Sequence, residues 1–447
     1  MTYIPHTPEQ LAQMLKTVGV DSTDRLFDVI PQEHRFPDLD LPPALSEPEL
    51  ADVFRQLSEQ NDDLDHATSF LGAGAYHHYI PSIVGHVVSR SELYTAYTPY
   101  QPEVSQGTLQ AIFEYQSMIC ALTGMDACNA SHYDGATALA ESIITTIAAG
   151  RGRRRRVVMA PSVHPQYRQV CASYTSGMDV DIATAGNPRA TPETLLSMVD
   201  NQTACLIVQS PDYFGRIHDL APVASALHDM GALLVVVTHP ISLGLLKPPG
   251  GQGADIVVGD GQPLGNPLAF GGPHLGFFGC TKSLVRRMSG RLVGETVDDG
   301  GNRGYVLTLS TREQHIRRGK ASSNICTNQG LNALAAAVYL SVMGKQGLAQ
   351  VARLCYHKAH HAATLINRVA GFSAEMDHPF FNEFTVECPC DATDLCARIY
   401  DQAGIVAGYP LKPDFPDLAN QLLVCVTEVN SSEQIAALAG ALAEATA

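Results

Sequence analysis

Short apolar runs alternate with helical patterns between residues 130 and 280. The run at 233–237, Leu-Leu-Val-Val-Val, is continuous and rich in β-branched residues, which is typical of a strand buried on both faces. The predicted strands cover 157–160, 179–183, 205–209, 233–237, 255–258 and 275–278, and the predicted helices cover 135–149, 164–176, 191–199 and 219–230. Repeated strand and helix units predict a mostly parallel sheet with helices on both faces.

The two ends of the chain carry other patterns. Thr7 and Pro8 mark the start of a helix in a polar amino-terminal region, which the proline-rich stretch 36–43 interrupts. The later part predicts two Ala/Leu-rich helices over 331–371, strands at 381–386 and 422–426, a helix at 392–403, and a last helix opened by Asn430 with Glu433 in capping-box spacing. We therefore predict a helical arm over 1–65, a large α/β domain over 66–330, and a helical connection with a small α+β domain over 331–447.

Composition narrows the classes of protein that fit these patterns. The 447 residues carry a formal charge of -16, which argues against nucleic acid as the main partner. No apolar run is long enough to span a bilayer, and the amino terminus shows neither a secretory signal nor an Arg-rich transit peptide. We therefore expect a cytoplasmic protein with no membrane partner. Charged residues make up 17%, against about 25% in average proteins, which suggests that another subunit covers part of the surface.

The numbers of lysines and cysteines, and the spacing of three cysteines, limit the possible lysine, disulfide and metal chemistry. Only seven residues are lysine, so any lysine chemistry has few candidates. The eleven cysteines show no disulfide framework. Cys388, Cys390 and Cys396 lack the spacing and the neighbouring histidine of a zinc site, so no metal is expected.

Two segments are dense in side chains that would be unusual in a pure core. Residues 71–82 and 94–107 combine Gly, Pro, Tyr and His, which suits either a binding wall or an ordinary interface loop. Residues 311–327 mix arginine and histidine with helix-capping residues, which suits an anion such as phosphate. A third basic segment, Arg151–Arg156, fits a solvated or ion-paired turn better than a nucleic-acid site in so acidic a chain.

Three long motifs carry a resemblance to a known family. They are Thr311-Arg-Glu-Gln-His-Ile-Arg-Arg with Lys320-Ala-Ser-Ser-Asn-Ile-Cys-Thr, the segment Tyr97-Thr-Pro-Tyr-Gln-Pro-Glu103, and Leu246-Lys-Pro-Pro-Gly followed by Gly-Ala-Asp-Ile and Gly-Gln-Pro. From about residue 60 to its end, the chain resembles the P-protein of the glycine cleavage system, glycine dehydrogenase (decarboxylating). More narrowly, it resembles the α subunit, or subunit 1, of the split two-chain form.

That resemblance implies the fold type I of pyridoxal 5'-phosphate (PLP) dependent transferases. In that fold a lysine near the end of the sheet binds the cofactor, an acid on a neighbouring strand pairs with the pyridine nitrogen, and a helix amino terminus holds the phosphate. Here Pro263 stands near the lysine position, Thr238 or His239 replaces the acid, and Asp134 leads the phosphate-side helix. We therefore expect no PLP lysine and no bound cofactor on this chain.

The resemblance also implies a set of partners. PLP is expected on a β subunit, in an α2β2 assembly that decarboxylates glycine and passes the aminomethyl group to the lipoyl arm of H-protein. No catalytic residue is then expected on this chain alone. We predict that it walls the partner's active site with Tyr97, Tyr100, Gln101, Glu103, His77 and His78, and that Arg312, His315, Arg317 and Arg318 meet an anion or the interface.

Two alternatives stay open at this point. The chain could be an autonomous PLP enzyme that uses Lys320, the best placed of Lys247, Lys282 and Lys320. It could instead be a non-catalytic subunit that docks H-protein through Arg151–Arg156, because a basic patch suits an acidic carrier. An absorption spectrum of the isolated chain distinguishes the first alternative from the leading hypothesis.

Overall fold

The computed structural model describes residues 5–64, 66–321, 323–325 and 327–445. The chain divides into two units, residues 1–63 and 64–447. The first unit holds the helices α1 (Pro8–Val18) and α2 (Glu47–Ser58), separated by two short 3₁₀ turns. Thr7 caps α1 as predicted, because its hydroxyl accepts a hydrogen bond from the Gln10 amide while the Gln10 side chain accepts one from Thr7.

The second unit contains the remaining helices and every described strand. Its helices are α3 (Ser82–Val88), α4 (Ser91–Tyr94), α5 (Gln106–Thr123), α6 (Gly135–Ala149), α7 (Pro165–Thr175), α8 (Pro192–Leu195), α9 (Ala221–Asp229), α10 (Gln314–Arg317), α11 (Gly330–Ile366), α12 (Ala392–Ala403) and α13 (Ser432–Glu444). Among the described residues, no helix has an apolar stretch long enough to cross a membrane.

The central sheet has seven strands in the order β2-β8-β7-β6-β5-β3-β4. They are β2 (Ala127–Cys128), β3 (Arg156–Met159), β4 (Asp181–Ala183), β5 (Thr203–Gln209), β6 (Leu233–Val237), β7 (Ile256–Asp260) and β8 (Gly276–Cys280). Strands β3 to β7 are parallel, and β8 is antiparallel to both of its neighbours. The predicted mostly parallel α/β sheet is therefore confirmed.

The smaller sheets lie outside this layer. A four-stranded antiparallel sheet in the order β11-β12-β15-β14 forms the carboxyl-terminal part. The strands outside the central sheet are β1 (Thr68–Ser69), β9 (Leu292–Val297), β10 (Arg303–Thr308), β11 (Ser373–Ala374), β12 (Glu383–Glu387), β13 (Ile405–Val406), β14 (Tyr409–Pro410) and β15 (Gln421–Cys425). Strand β1 pairs in parallel with β13. Residues 70–81, which join β1 to α3 without a helix or strand, form a loop that we call the 70–81 loop. The start of this loop is therefore held against the carboxyl-terminal part.

The core confirms why the central strands were recognisable. The side chains of Leu206, Val235 and Val257, one from each of three adjacent strands, are fully buried. They belong to one large apolar cluster that includes residues of α6 and α11. Because both faces of the sheet are covered, each strand reads as a continuous apolar run rather than an alternating one.

Four predicted details differ from the structure. The last helix is capped by Ser431, whose hydroxyl accepts from the Gln434 amide at 3.2 Å, whereas Asn430 accepts from the Thr427 amide in the preceding turn. Asp219 lies two residues before α9 and accepts from its first amide at 3.2 Å. The predicted helix 191–199 is one turn, α8, followed by a 3₁₀ turn. The two predicted helices after 330 are the halves of α11, which a left-handed Gly344 separates.

Candidate functional site

A small cavity of about 30 Å³ lies at the carboxyl ends of the parallel strands. This edge of the sheet is where open α/β folds bind their ligands. The lining includes Gln209 at the end of β5, Thr238 and His239 after β6, and Asp260 at the end of β7. A volume of this size holds about one water molecule. No lysine is among the described residues that line it.

The amino terminus of α6 contacts Asp260, one of the lining residues, and carboxylates of the chain itself bind its amides. Asp260 Oδ2 accepts from the Gly135 amide at 3.1 Å, and Asp134 Oδ1 accepts from the Thr137 amide at 2.7 Å. A methyl group built on Gly135 would lie 2.3 Å from the Tyr167 hydroxyl. Carboxylates of the chain therefore bind two of the free amides in the first turn of α6, and the turn is packed tightly against its neighbours.

The side chains after β6 are bound to backbone groups. The Thr238 hydroxyl donates to the Ser210 carbonyl at 2.8 Å. His239 Nδ1 accepts from the Ile241 amide at 3.1 Å, so the ring proton is on Nε2, which is buried and has no hydrogen-bond partner. Burial holds the pKa of His239 well below its usual value. Neither residue supplies a carboxylate to this cavity.

Pro263 and its neighbour Gln262 follow β7 in the buried turn. Gln262 accepts from the Tyr76 amide at 3.0 Å and donates to the Tyr76 carbonyl at 3.0 Å. It also donates to the Asn266 carbonyl at 2.8 Å. The turn that contains Gln262 and Pro263 therefore holds the 70–81 loop through hydrogen bonds to Tyr76.

A buried glutamate holds the same loop from the small sheet. Glu383 on β12 accepts from the Ala73 amide and from the Tyr76 hydroxyl, each at 2.7 Å. Burial raises the pKa of Glu383 to about 7. Since the carboxylate is desolvated, its proton is retained to higher pH than in water.

This raised pKa predicts a pH-dependent stability. Between pH 4.5, the usual value, and about 7 the folded chain keeps a proton on Glu383 that the unfolded chain has lost. Stability is therefore highest below this window and falls as the pH rises through it, by about 3 kcal/mol. We expect Glu383→Gln to remove this loss, so that urea unfolding shows the variant gaining on wild type from about pH 4 to about pH 8.

The matched control is Glu387→Gln, on the exposed end of the same strand. If the stability difference between E383Q and wild type is the same at both ends of the pH range, Glu383 does not keep a proton in the folded chain, and the assignment is wrong. The same change at Glu387 tests whether charge removal from β12 has a general effect.

The predicted wall histidines lie on this loop but point to different surroundings. His78 is 5% exposed, and its Nδ1 lies 2.7 Å from Glu428 Oε2. His77 lines a separate cavity of about 230 Å³, and its carbonyl accepts from the Thr427 hydroxyl. Their contribution to a partner's active site stays a prediction.

The predicted wall tyrosines are exposed together on a second surface. Tyr97 is 79% exposed and Tyr100 is 48% exposed, with ring centroids 6.5 Å apart. His315 lies 6.5 Å from the Tyr100 ring, so the structure brings members of two predicted sets together. Gln101 and Glu103 are exposed beside them, at a 3₁₀ turn. We call Tyr97, Tyr100, Gln101, Glu103 and His315 the aromatic surface.

A cavity of about 170 Å³ opens next to the aromatic surface. Tyr97 contributes to its wall together with Tyr94, Ile112, Asn328 and Leu331, the last at the start of α11. This lining is mostly apolar. This cavity is larger than the 30 Å³ cavity lined by Asp260, and smaller than a cavity of about 380 Å³ that Ser210, Thr238 and Lys247 line.

Arg291 is a buried residue that contacts Tyr100 of the aromatic surface. It was not predicted from the sequence. It is 3% exposed, its Nη2 donates to the Tyr100 hydroxyl at 2.7 Å, and its guanidinium lies 5.2 Å from the Tyr100 ring centre. Its Nε and Nη1 have no hydrogen-bond partner, although Glu313 Oε2 lies 4.0 Å from Nε. An arginine between glycine and apolar residues gives little signal in sequence.

The predicted arginine set is divided by the fold. Arg312 turns inward and donates to the carbonyls of Leu309, Met288 and Gly290. Arg317 and Arg318 are exposed, as is Lys320 in the adjacent 3₁₀ turn. Only the exposed members remain available to an external anion, and that role stays a prediction.

The Arg151–Arg156 segment makes mostly internal contacts. Arg154 donates to the carbonyls of Thr203 and Met230 at 3.0 Å each. Arg156 binds the Asp200 carboxylate at 2.7 Å, and Arg155 lies 3.7 Å from the Asp179 carboxylate. Docking of an acidic partner here stays a prediction that rests on the exposed Arg151 and Arg153.

A buried Ser289, His132 and Asn129 arrangement is not a nucleophile with its base. Asn129 Nδ2 donates at 3.0 Å to the Ser289 carbonyl, which fixes the amide orientation, and also at 3.0 Å to His132 Nδ1. The His132 proton is therefore on Nε2, which donates to the Ser289 hydroxyl at 2.9 Å. A histidine that already carries a proton at this nitrogen cannot remove the serine proton.

Comparisons with known proteins place this geometry in a family. Residues 1–442 match the family model described as glycine cleavage system P-protein. The chain is 52% identical over 453 residues to the probable glycine dehydrogenase (decarboxylating) subunit 1 of Thermomicrobium roseum, with 100% of both chains covered. It is 50% identical to the protein of the same description from Desulforamulus reducens, with 99% of both chains covered.

Solved structures agree with this match. An inhibitor-bound crystal structure of glycine decarboxylase (P-protein) of the glycine cleavage system has a TM-score of 0.89 at 43% identity, with 100% of both chains covered. A sphingosine-1-phosphate lyase from Burkholderia pseudomallei has a TM-score of 0.66 at 15% identity, with 93% of this chain and 94% of that chain covered, and so shares the fold alone. The predicted fold type I of PLP-dependent enzymes is confirmed. The chain belongs to the glycine cleavage system P-protein family.

Proposed function

We propose that the chain is the α subunit of a heteromeric glycine decarboxylase of the glycine cleavage system and that the partner β subunit carries PLP. The assembly, an α2β2 tetramer, decarboxylates glycine and transfers the aminomethyl group to the lipoyl arm of H-protein. Full-length relatives described as subunit 1, at 52% and 50% identity, support the first part of this proposal. The geometry of the chain's own cavity supports the second.

The residues that line the Asp260 cavity do not fit PLP. Asp260 takes the position at the α6 amino terminus where the phosphate would bind, and a second carboxylate, Asp134, caps the same turn. A cavity of about 30 Å³ is far smaller than a pyridine ring with its phosphate. Its described lining has no lysine to bind the cofactor and, after β6, no acid to pair with a pyridine nitrogen. The Asp260 contact is the observation that carries the proposal.

The aromatic surface is the part of the chain that we assign to the partner's active site. Exposed tyrosines in a cluster are typical of protein interfaces, where they contribute large contact area with little loss of side-chain entropy. Tyr97 and Tyr100 would form a wall, and the exposed Glu103 and Gln101 would orient donors or accept a proton beyond it. In this proposal the chain encloses the partner's active site and orients groups in it, while the bond-breaking step takes place on the β subunit.

We expect the purified chain alone to show no visible absorption from lysine-bound PLP after incubation with the cofactor. Borohydride reduction, which fixes PLP on a lysine, is expected to leave this chain unlabelled in mass spectrometry. The co-purified two-chain complex is expected to absorb, to carry the label on the β subunit, and to exchange glycine with bicarbonate. The physical reason is the carboxylate-filled phosphate position and the absence of a lysine from the described cavity lining.

The control is Lys320→Ala, because Lys320 is the residue on which the autonomous-enzyme alternative depends. If the isolated chain absorbs and this variant does not, the proposal is wrong. If both absorb, an unexpected lysine holds the cofactor, and the mass of the labelled peptide identifies it.

A further inference from the structure

A buried group of three residues of metal-ligand type includes one residue of the 70–81 loop. His78 comes from that loop, Cys355 from α11, and Glu428 from the turn after β15. Their ligand atoms lie within 4.8 Å of one another. His78 Nδ1 is 2.7 Å from Glu428 Oε2, and Cys355 Sγ is 3.3 Å from the same oxygen. Three distant parts of the chain therefore direct a nitrogen, a sulfur and an oxygen donor to one point.

The group is enclosed. Cys355 is 0% exposed, His78 is 5% exposed, and the Glu428 side chain is 8% exposed. Buried histidine, cysteine and glutamate at one position are expensive to desolvate unless each donor is used. Its burial distinguishes this group from exposed clusters of acidic residues, which are common without a bound ion.

Unpartnered polar atoms surround the group. His78 Nε2, His239 Nε2 and the Tyr339 hydroxyl are all buried and have no hydrogen-bond partner. The His78 and His239 rings lie 5.7 Å apart. Burial, followed by the charges of Glu428 and Cys355, raises the pKa of the Tyr339 hydroxyl. Buried polar atoms without partners are rare, so this region has hydrogen-bonding capacity that the described side chains do not use.

Neighbouring residues hold the glutamate in place for such a role. The Tyr79 amide donates to Glu428 Oε1 at 2.8 Å, which fixes the carboxylate and leaves Oε2 directed at His78 and Cys355. Lys358 is a neighbouring cation, but it donates to the backbone carbonyls of Glu428 and Asn430. The carboxylate oxygens are therefore not neutralised by a direct ion pair with that lysine. Supporting hydrogen bonds of this kind orient the ligands in metal sites.

We propose that His78, Cys355 and Glu428 form a structural binding site for a zinc ion. Imidazole, thiolate and carboxylate together suit Zn²⁺, whereas Ca²⁺ and Mg²⁺ prefer oxygen ligands alone. The observed separations of 2.7 and 3.3 Å need to widen only slightly for a tetrahedral ion with a water as the fourth ligand. The site goes beyond the proposed function, since it needs neither PLP nor the partner subunit.

The proton balance of binding is simple. In the metal-free state the Cys355 thiol and the His78 Nδ1–H both donate to Glu428. Binding releases the thiol proton to solvent and moves the imidazole proton from Nδ1 to Nε2, so one proton leaves for each ion bound. The ion would then tie the 70–81 loop, α11 and the turn after β15 into one unit.

The test uses the metal-free full-length chain, titrated with Co²⁺ as a spectroscopic probe of the zinc site. We expect one equivalent of Co²⁺ to give the near-ultraviolet charge-transfer band of a cobalt-thiolate bond and visible bands of a tetrahedral ion. Zn²⁺ added afterwards is expected to remove these bands by displacement. Wild type alone can overturn the proposal, because a chain that binds Co²⁺ without a thiolate band, or not at all, lacks this site.

Variants locate the site. Cys355→Ser and His78→Ala are expected to lose the thiolate band or weaken Co²⁺ binding more than tenfold, as removal of a ligand does. Cys171→Ser, the same change at a fully buried cysteine of α7, is the matched control and is expected to keep the band. A band that persists in C355S and disappears in Cys390→Ser would overturn the proposal in favour of the Cys388, Cys390 and Cys396 group. If C355S does not fold, the shift of the wild-type melting temperature by Zn²⁺, compared with H78A, decides: no shift overturns the site.

Discussion

The Tyr100→Ala variant is expected to lower glycine–bicarbonate exchange by the two-chain complex about tenfold to a hundredfold, the range that a misplaced active-site wall produces. The Tyr100 ring is packed between the Arg291 guanidinium, at 5.2 Å, and the rings of Tyr97 and His315, each at 6.5 Å. Its hydroxyl is the hydrogen-bond acceptor of Arg291 Nη2. Removing the side chain disturbs the contacts that order the aromatic surface.

The expected loss of exchange activity in Y100A also has an electrostatic cause. Arg291 is 3% exposed, and its Nε and Nη1 already lack hydrogen-bond partners. Without Tyr100, Nη2 loses its partner too, and a buried donor left unsatisfied costs about 1–3 kcal/mol. We expect Glu313, 4.0 Å from Nε, to move toward the guanidinium and to draw the loop that carries His315 with it.

Two further variants separate the causes. Tyr100→Phe keeps the ring and removes only the hydroxyl, so exchange should fall between wild type and Y100A. Tyr400→Ala, at a partly exposed tyrosine of α12, is the control for loss of any surface ring. Circular dichroism and sedimentation of the complex show whether folding and assembly survive. Unchanged exchange in Y100A, with assembly intact, would remove the aromatic surface from the proposed active-site wall.

The central sheet was predictable because its environment is uniform. Strands β5, β6 and β7 are covered on both faces, so burial alone selects continuous apolar residues. The hairpin of β9 and β10 was missed although its turn carries a recognisable signal. Asp298 accepts from the Asn302 amide at 2.8 Å in an Asp-Asp-Gly-Gly-Asn turn, which joins two strands with one buried residue each.

The candidate site was predictable only in part because its contacts join residues far apart in sequence. The contact of Asp260 with Gly135 spans 125 positions. The contacts of Glu383 with Tyr76 and of Glu428 with His78 span 307 and 350 positions. Local spacing identified the residue types in each segment, but no local pattern specifies which distant carboxylate reaches which loop.

These long contacts share one purpose in the fold. Glu383, Glu428 and Gln262 all hold the 70–81 loop, two of them from the carboxyl-terminal part and one from the end of β7. The same loop lines the small cavity at the strand ends through Gly74 and Tyr76. These hydrogen bonds restrict the motion of the 70–81 loop.

Gly215→Ala is expected to destabilise the chain by more than about 4 kcal/mol, at the upper end of single substitutions. Gly215 has φ +87, in the left-handed region, and a methyl group built on it would lie 1.9 Å from the Glu383 carbonyl oxygen and 2.5 Å from its carbonyl carbon. These are backbone atoms of β12, so no side-chain rotation can relieve the overlap. The Gly215 carbonyl also accepts from the Phe381 amide at 3.2 Å, which fixes this turn against the strand.

The turn therefore has to move away from β12, and Glu383 moves with the strand that carries it. We expect G215A to unfold at much lower urea concentration than wild type and to lose the pH dependence that Glu383 produces, because the carboxyl group is no longer buried. Gly177→Ala is the matched control, since a methyl group there meets no heavy atom within 4 Å. A variant G215A as stable as G177A would show that the turn and β12 are not in this contact, and the assignment of Glu383 as a buried clamp of the 70–81 loop would fall with it.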